Sequence, residues 1–578
     1  MPGKNAEIAR TLERIADLRE IDGGESFRIS SYRRAARTVA DAAEDLADLA
    51  RENRLTDLPG VGKGTADRIK QYLHTGHIDV LDELQKKFPA GVLDLLEIPN
   101  LGPKKVAAVH RQLKVSSLDD LKRAIDAGQV AELSGFGATS AKKIVEGIRF
   151  LESRGGRTPL GVALPVAEQF LEAVRSLKGV KRAEIAGSLR RGQETIGDVD
   201  IVCEAKDGAA VVKQFTSFEG VRQVLAAGNT KGSITVELSG GQELQIDLRV
   251  VEADAYGAAL QYFTGSKEHN VRVREFAVKK KWRLNEYGLF DGEKRLAGKT
   301  EEGIYTKLGL PFVPPELRED RGETDPAFEP PILVTLDDIR GDLHMHTTAS
   351  DGRASIEDMA EAAKQRGYDY IAICDHSKSA TVANGLTVER MKRHIKAIRT
   401  ANDKISGIEI LVGCECDILA DGTLDYPDDI LADCDWVVAS IHTAMGSGTA
   451  RKHDPTQRTL AAIENRYVSA IGHPSGRLIN RRAAMELDID KIAQAAADTG
   501  TFLEVNASWQ RLDLKDLHVR QALAGGVTLV IDTDAHSTDQ LDQIRFGIIT
   551  ARRGGATKKD VLNTVTVSTL HKRIAAKR

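Results

Sequence analysis

The chain has 578 residues, 41% hydrophobic and 29% charged, with a net charge of −4. That length exceeds a single hydrophobic core and implies roughly three or four domains, while the composition excludes a largely disordered chain. No apolar run approaches the ~18 residues of a membrane span, and the five cysteines form no C-x-x-C pair, which fits reduced thiols.

The N-terminus, Met1-Pro2-Gly3-Lys4, starts no apolar signal-peptide core, so a cytoplasmic protein without membrane partners is expected. The net charge hides a division. Residues 1–315 hold 48 Lys+Arg against 45 Asp+Glu, and residues 316–578 hold 33 against 40. A phosphate backbone needs a local basic patch rather than a basic total, so the first part remains suited to nucleic acid.

Residues 1–150 read as short amphipathic helices with Ala-, Lys- and Arg-rich faces, and they contain an internal repeat. Leu58-Pro59-Gly60-Val61-Gly62, Ile98-Pro99-Asn100-Leu101-Gly102 and Leu133-Ser134-Gly135-Phe136-Gly137 each precede such a helix. Their final glycines lie 40 and 35 positions apart. A tight glycine hairpin opening a helix offers backbone N–H groups to a phosphate without reading bases. The units resemble helix–hairpin–helix DNA-binding motifs, with Gly60, Gly62, Gly102, Gly135 and Gly137 as candidate contacts. Asn100 breaks the glycine pattern in the second copy, and plain αα-hairpins are the alternative.

Residues 160–315 mix helices with strands at 183–186, 198–204, 233–238 and 243–251. The stretch Gly187-Ser188-Leu189-Arg190-Arg191 is followed by Gly197-Asp198-Val199-Asp200-Ile201. Residues two apart on a strand share a face, so Asp198 and Asp200 point the same way and repel unless a cation lies between them. The Gly187-Ser188 turn with Arg191 suits a phosphate. Asp247, on the strand Glu243–Val251, supplies a third carboxylate. Carboxylates for Mg²⁺ or Mn²⁺ beside a phosphate cradle are the equipment of two-metal nucleotidyl transfer.

These residues, with Arg249 and Tyr262-Phe263-Thr264-Gly265-Ser266, resemble the family X DNA polymerases, the group that includes polymerase beta. The resemblance implies that Asp198, Asp200 and Asp247 are catalytic metal ligands. It implies that Ser188 and Arg191 touch phosphate, and that Tyr262, Phe263 and Gly265 line the nucleotide sugar. Asn270 and Arg274 match positions at the base edge and the template minor groove. Lys267 stands where polymerase beta has an acidic residue, and a cation there is expected to strengthen nucleotide binding. Tyr32-Arg33-Arg34-Ala35-Ala36 extends the resemblance to the small domain that grips a gap 5′-phosphate. Arg68 occupies the place of that domain's Schiff-base lysine. A guanidinium stays protonated and cannot attack an aldehyde, so efficient lyase activity is not expected.

Pro315 to Pro331 is charged and lacks apolar periodicity, which marks a linker. Beyond it strands and helices alternate. Candidate strands are Ile339–Met345, Tyr368–Asp375, Glu409–Cys416, Trp436–His442, Val468–His473, Phe502–Asn506 and Thr528–Asp534. Regular βα alternation implies a parallel, closed or nearly closed barrel. Six of the 14 histidines fall at or just after these strands. His344, His346, Asp351, His376, Glu415, His442, His473, Asp534 and His536 would then converge at the C-terminal strand ends. That set suits two or three divalent ions, Zn²⁺, Mn²⁺ or Fe²⁺, which acidify water and neutralise phosphate oxygens. The motifs resemble the PHP (polymerase and histidinol phosphatase) domain, and Cys414 and Cys416, alternating with Glu415, should face the barrel wall.

The expected fold is therefore multidomain α+β and α/β. A helix–hairpin–helix region (1–90 and 91–155) precedes a palm (156–255), a thumb-like subdomain (256–315), a linker (316–335) and a distorted (β/α)7 PHP barrel (336–578). The whole resembles a bacterial, nucleoid-associated repair polymerase, expected as a monomer. Its implied substrates are dNTPs with gapped or primer–template DNA, and its implied second activity is a 3′→5′ exonuclease. Cleavage at abasic sites, removal of 3′-phosphates, a small-molecule phosphatase and a mainly structural barrel are the alternatives.

Overall fold

The computed structural model describes the chain apart from residues 1, 24, 41–45, 59, 89–91, 93, 94, 96, 97, 99, 100, 102, 134, 135, 137–143, 145–147, 149–156, 239–241, 444–453, 481, 483 and 578. It forms two compact units, Met1–Gly155 with Leu238–Glu243, and Gly156–Glu237 with Leu244–Arg578. No helix among the described residues is long and apolar enough to cross a membrane.

The first unit is helical. Ile8, Leu12, Ile15 and Ile21 share a core with Val61, Ile69, Val106, Val109 and Leu121. Their spacing of three and four along each helix produces one buried stripe per helix. The repeat is visible as a recurring turn: Val61 N donates to Leu58 O at 3.0 Å, Leu101 N to Ile98 O at 3.1 Å and Phe136 N to Leu133 O at 3.0 Å. Gly60 has φ +83° and a Cβ there would meet Arg34 Cδ at 2.5 Å, so this turn requires glycine. Gly62 is the extended residue that precedes the helix Lys63–Thr75. Gly102, Gly135 and Gly137 lie outside the described residues.

The second unit begins with a five-stranded sheet. Its strands are β1 (Val180–Ile185), β2 (Asp198–Ala205), β3 (Val221–Ala227), β4 (Lys231–Glu237) and β5 (Glu243–Val251), in the order β1-β2-β5-β4-β3. β2 and β5 are parallel neighbours. β3 was not expected: nearly all of it is solvent-exposed, so Val224 and Leu225 carry no alternating pattern. A three-stranded sheet of β6 (Arg283–Asn285), β7 (Gly288–Asp291) and β8 (Lys294–Ala297) follows.

Thr158–Pro159 pairs with Thr195–Ile196 as a two-residue ribbon, and the C-terminal strands are β9 (Gly341–Met345), β10 (Tyr370–Ile373), β11 (Glu409–Asp417), β12 (Trp436–Ser440), β13 (Ala470–Ile471), β14 (Phe502–Asn506) and β15 (Leu529–Asp532). They form one sheet in sequence order, and the paired strands run parallel. A bridge between Met345 and Ala535 and a hydrogen bond from Leu343 N to Asp532 Oδ1 (2.7 Å) join the first strand to the last. Strands covered on both faces read as continuous apolar runs, which made all seven recognisable. Leu343, Cys374, Leu411, Trp436 and Phe502 pack with Leu570 and Ile574 of the C-terminal helix Val567–Lys577. Cys414 and Cys416 belong to a separate cluster shared with the outer helices.

The segment 316–335 links thumb and barrel but is no free spacer. Arg318, fully buried, pairs with Glu301 at 2.6 Å, and Glu323 lies 2.7 Å from His269 Nδ1. Its charges found partners distant in sequence, so the segment packs as a strap.

Candidate active sites

The parallel register of β2 and β5 sets Asp200 opposite Asp247 and Val202 opposite Arg249. Burial, then the charges of Asp198 and Asp247, push the Asp200 carboxyl up to about 7. Three carboxylates this close require positive charge, the condition a divalent cation meets. Asp247 is 8% exposed. Burial opposes its ionisation, but Lys231 Nζ (2.8 Å), Ser233 Oγ (2.5 Å) and Gln245 Nε2 (2.8 Å) hold it below the usual range. Gly187 has φ +66° and lies so close that a Cβ would overlap Asp200 Oδ2.

One cleft of about 460 Å³ gathers the other expected residues: Gly187, Ser188, Arg191, Asp198, Asp200, Tyr262, Phe263, Gly265, Lys267, Asn270 and Arg274, together with Arg157. The Tyr262 and Phe263 rings meet edge to face at 5.2 Å, and Arg249 stacks 5.0 Å from the Phe263 ring. Asn270 is fixed by its Nδ2 donating to Tyr262 O at 2.7 Å and its Oδ1 accepting from Gln261 at 2.6 Å. Ser266 caps the helix Lys267–Lys279, which carries Lys267, Asn270 and Arg274 to the cleft.

The barrel brings all nine candidate ligands together. Ligand atoms of His346, Asp351, His376 and His536 lie within 4.8 Å of one another, as do those of His344, His346 and Asp534, and those of His376, Glu415 and His442. His473 Nε2 is 2.9 Å from Glu415 Oε1. The His346 ring stacks on His376 at 4.4 Å and on His536 at 4.2 Å.

The electrostatics favour cations. Burial, then His536 and His376, push His346 down to about 4, leaving a neutral imidazole able to ligate. Burial also opposes charge on His376, but Glu415 and Asp351 raise it to about 9. Protons on such histidines balance the buried carboxylates when no other cation does. His344 Nε2, His346 Nδ1, His376 Nδ1 and Glu415 Oε2 are buried without a hydrogen-bond partner. Orphaned imidazole and carboxylate atoms facing one another fit bound divalent metal.

Sequence reasoning missed the groups that orient these ligands. Glu504 Oε1 lies 2.6 Å from His344 Nδ1, and Asp417 Oδ1 lies 2.6 Å from His442 Nδ1. The Asp375 carboxylate bonds no candidate ligand among the described residues; it accepts from Thr347 Oγ1 at 2.7 Å and Ser350 Oγ at 2.5 Å, which ties the loop between His346 and Asp351, and lies 2.7 Å from His394. Carboxylates behind ligating histidines fix tautomer and ring orientation. Glu504 as the one charge in the run Phe502-Leu503-Glu504-Val505 could have flagged this role. Arg157, Lys231, Ser233 and Gln245 were likewise unforeseen. In the first unit, Arg68 lines a pocket of about 270 Å³ with Arg19, Arg28 and Tyr32, and its Nη1 donates to Gly64 O at 2.6 Å.

Family models match in chain order. A helix-hairpin-helix domain covers residues 3–78 and a SAM-like helix-hairpin-helix tandem 92–149. The DNA polymerase beta palm covers 163–251, its thumb 259–319, and the PHP domain 342–508. The DNA polymerase/3′-5′ exonuclease PolX of Bacillus subtilis is 40% identical over 559 residues, 96% of this chain and 97% of that protein. A probable phosphatase of Thermoanaerobacter pseudethanolicus is 30% identical over 232 residues, 39% of this chain and 89% of its own. DNA polymerase lambda of Rattus norvegicus is 25% identical over 342 residues, 54% of this chain and 56% of its own.

Proposed function

The chain belongs to the bacterial family X DNA polymerases that carry a PHP domain, and from that premise we propose that it fills short gaps in DNA and removes 3′ ends by hydrolysis. The observation that carries the first activity is the placement of Asp198, Asp200 and Asp247 beside a cleft lined by Ser188, Arg191, Tyr262 and Lys267. Ser188 and Arg191 hold the triphosphate, Tyr262 and Phe263 bound the sugar, and Asn270 and Arg274 meet the base edge and template. Asp247, kept ionised by Lys231, Ser233 and Gln245, orients the primer 3′-hydroxyl.

The nine-residue cluster performs the second activity. Divalent cations, Mg²⁺ or Mn²⁺ at the three aspartates and Zn²⁺, Mn²⁺ or Fe²⁺ in the barrel, supply neutralisation of phosphate oxygens and acidification of water or hydroxyl. Glu504 and Asp417 hold His344 and His442 in place, Asp375 ties down the Thr347–Ser350 loop, and His344, His346 and Glu415 are buried from bulk water while Asp351, His442 and His536 stay partly exposed. The full-length likeness to a polymerase/exonuclease supports a DNA end as the barrel's substrate over a small phosphate ester. The complete ligand set argues against a purely structural barrel.

A 5′-labelled primer on a gapped template tests both activities. With Mn²⁺ or Mg²⁺ the primer lengthens when dNTPs are present and shortens from its 3′ end when they are not. Histidinol phosphate turnover without primer shortening would contradict the proposal.

A further inference from the structure

The loop that carries Ser188 and Arg191 is backed by the PHP barrel. A Cβ on Gly192 would overlap Ile549 Cγ2. Glu194 pairs with Arg477 at 2.8 Å, and Asn480 donates to Arg157 O at 2.6 Å. The centre of this seam is Glu319, whose Oε1 accepts from Arg191 Nε at 3.0 Å, Gln193 Nε2 at 2.6 Å and Arg553 Nη1 at 3.0 Å. Arg553 Nη1 also donates to the Arg191 carbonyl at 2.5 Å, and its Nη2 to Asp516 at 2.9 Å. The Arg553 side chain is only 3% exposed, while those of Arg191 and Glu319 are each 13% exposed.

Two of the three guanidinium nitrogens of Arg191 are thus committed, Nε to Glu319 and Nη1 to Thr264 O at 2.5 Å. Its Nη2 has no partner among the described residues, and the residue lines the nucleotide cleft. Arg321 adds a further guanidinium 3.3 Å from Asp516. Three guanidinium groups therefore share two carboxylates, and one positive charge is left over at the edge of the cleft.

We infer that Arg553, a residue of the PHP barrel, is a positioning residue for nucleotide binding by the polymerase: with Glu319 it fixes Arg191 so that Nη2 meets the triphosphate. The inference rests on the polymerase function proposed above. A planar fork held in advance loses less rotamer freedom when it binds phosphate. Without Arg553, Glu319 keeps Arg191 as its remaining guanidinium partner, and the Arg191 carbonyl loses a donor. The fork then turns toward Glu319 and away from the cleft.

The test uses the full-length chain and single-nucleotide insertion into gapped DNA. Arg553→Met raises the dNTP KM about tenfold while kcat stays within about twofold. Shortening of a single-stranded oligonucleotide is unchanged, which reports an intact barrel. Glu319→Gln, which keeps the side-chain volume, shifts KM in the same direction and serves if Arg553→Met fails to fold. The double variant shows no more than the larger single effect, since both act through Arg191. A wild-type KM in either folded variant overturns the inference, as does a loss confined to kcat. If the unaltered chain adds no nucleotide, the polymerase proposal fails first and this inference with it.

Discussion

Two proposed metal-binding arrangements in this chain start from the same local device and end differently. Asp198-Val199-Asp200 and His344-Met345-His346 each place a pair of ligand-type side chains two residues apart on a strand. In the carboxylate cleft, Asp198 and Asp200 remain partly exposed, and one neighbouring strand adds Asp247. In the barrel, His344 and His346 have no exposure, and six further chain segments bring in the other ligands. On the proposed function, the open cleft would admit metal together with a triphosphate, whereas the buried barrel cluster would retain metal between substrates. An exchanging substrate wants the first arrangement and a resident hydrolytic centre the second.

Substitutions can break this contrast. The largest expected effect is Asp200→Asn, which lowers nucleotide addition by about 10³-fold in a primer-extension assay. The same change removes like-charge repulsion, so the metal-free unfolding midpoint rises by a few degrees. A fall in that midpoint would show that Asp200 is stabilising in its own right. Glu504→Gln comes next. It loosens His344 without deleting a proposed ligand, and primer shortening falls about 10–100-fold with a matching loss of metal affinity.

Metal removal sharpens the comparison further. Dialysis against a chelator, followed by Mn²⁺ or Zn²⁺ readdition in a thermal melt, raises the unfolding midpoint of wild-type chain. The rise is lost in His344→Ala and retained in Asp247→Ala, because the buried cluster contributes the larger binding free energy. The smallest effect is on pH. The raised Asp200 pKa means a proton competes with metal below about 7. Mg²⁺ affinity at the cleft, measured by titration without nucleotide, therefore weakens as pH falls through that value and levels off above it.

How much of this was legible in the sequence depended on whether partners were local. The barrel strands were legible because burial on both faces gives apolar runs, and the candidate ligands other than Asp351, which lies in a loop, stood out as polar residues in or just after such runs. β3 was not, since a strand exposed along its length carries no alternation. The 316–335 strap resembled a solvated linker because its charges find their partners only after folding: Arg318 pairs with Glu301, Glu319 with Arg191 and Glu323 with His269. Lys231 escaped notice for the same reason, since only the sheet order brings it to Asp247. The helix–hairpin–helix turn at Gly60 was legible because its backbone conformation restricts the residue type.

On the proposed function, one chain holds two separable metal centres, one adding nucleotides and one removing them. The most direct measurement exchanges the two lesions on a single substrate, a 5′-labelled primer on a gapped template. Asp247→Ala should abolish lengthening and leave shortening intact, and His344→Ala should do the reverse. Loss of both activities in either variant, with the chain still folded, or survival of both in both variants, would contradict the account.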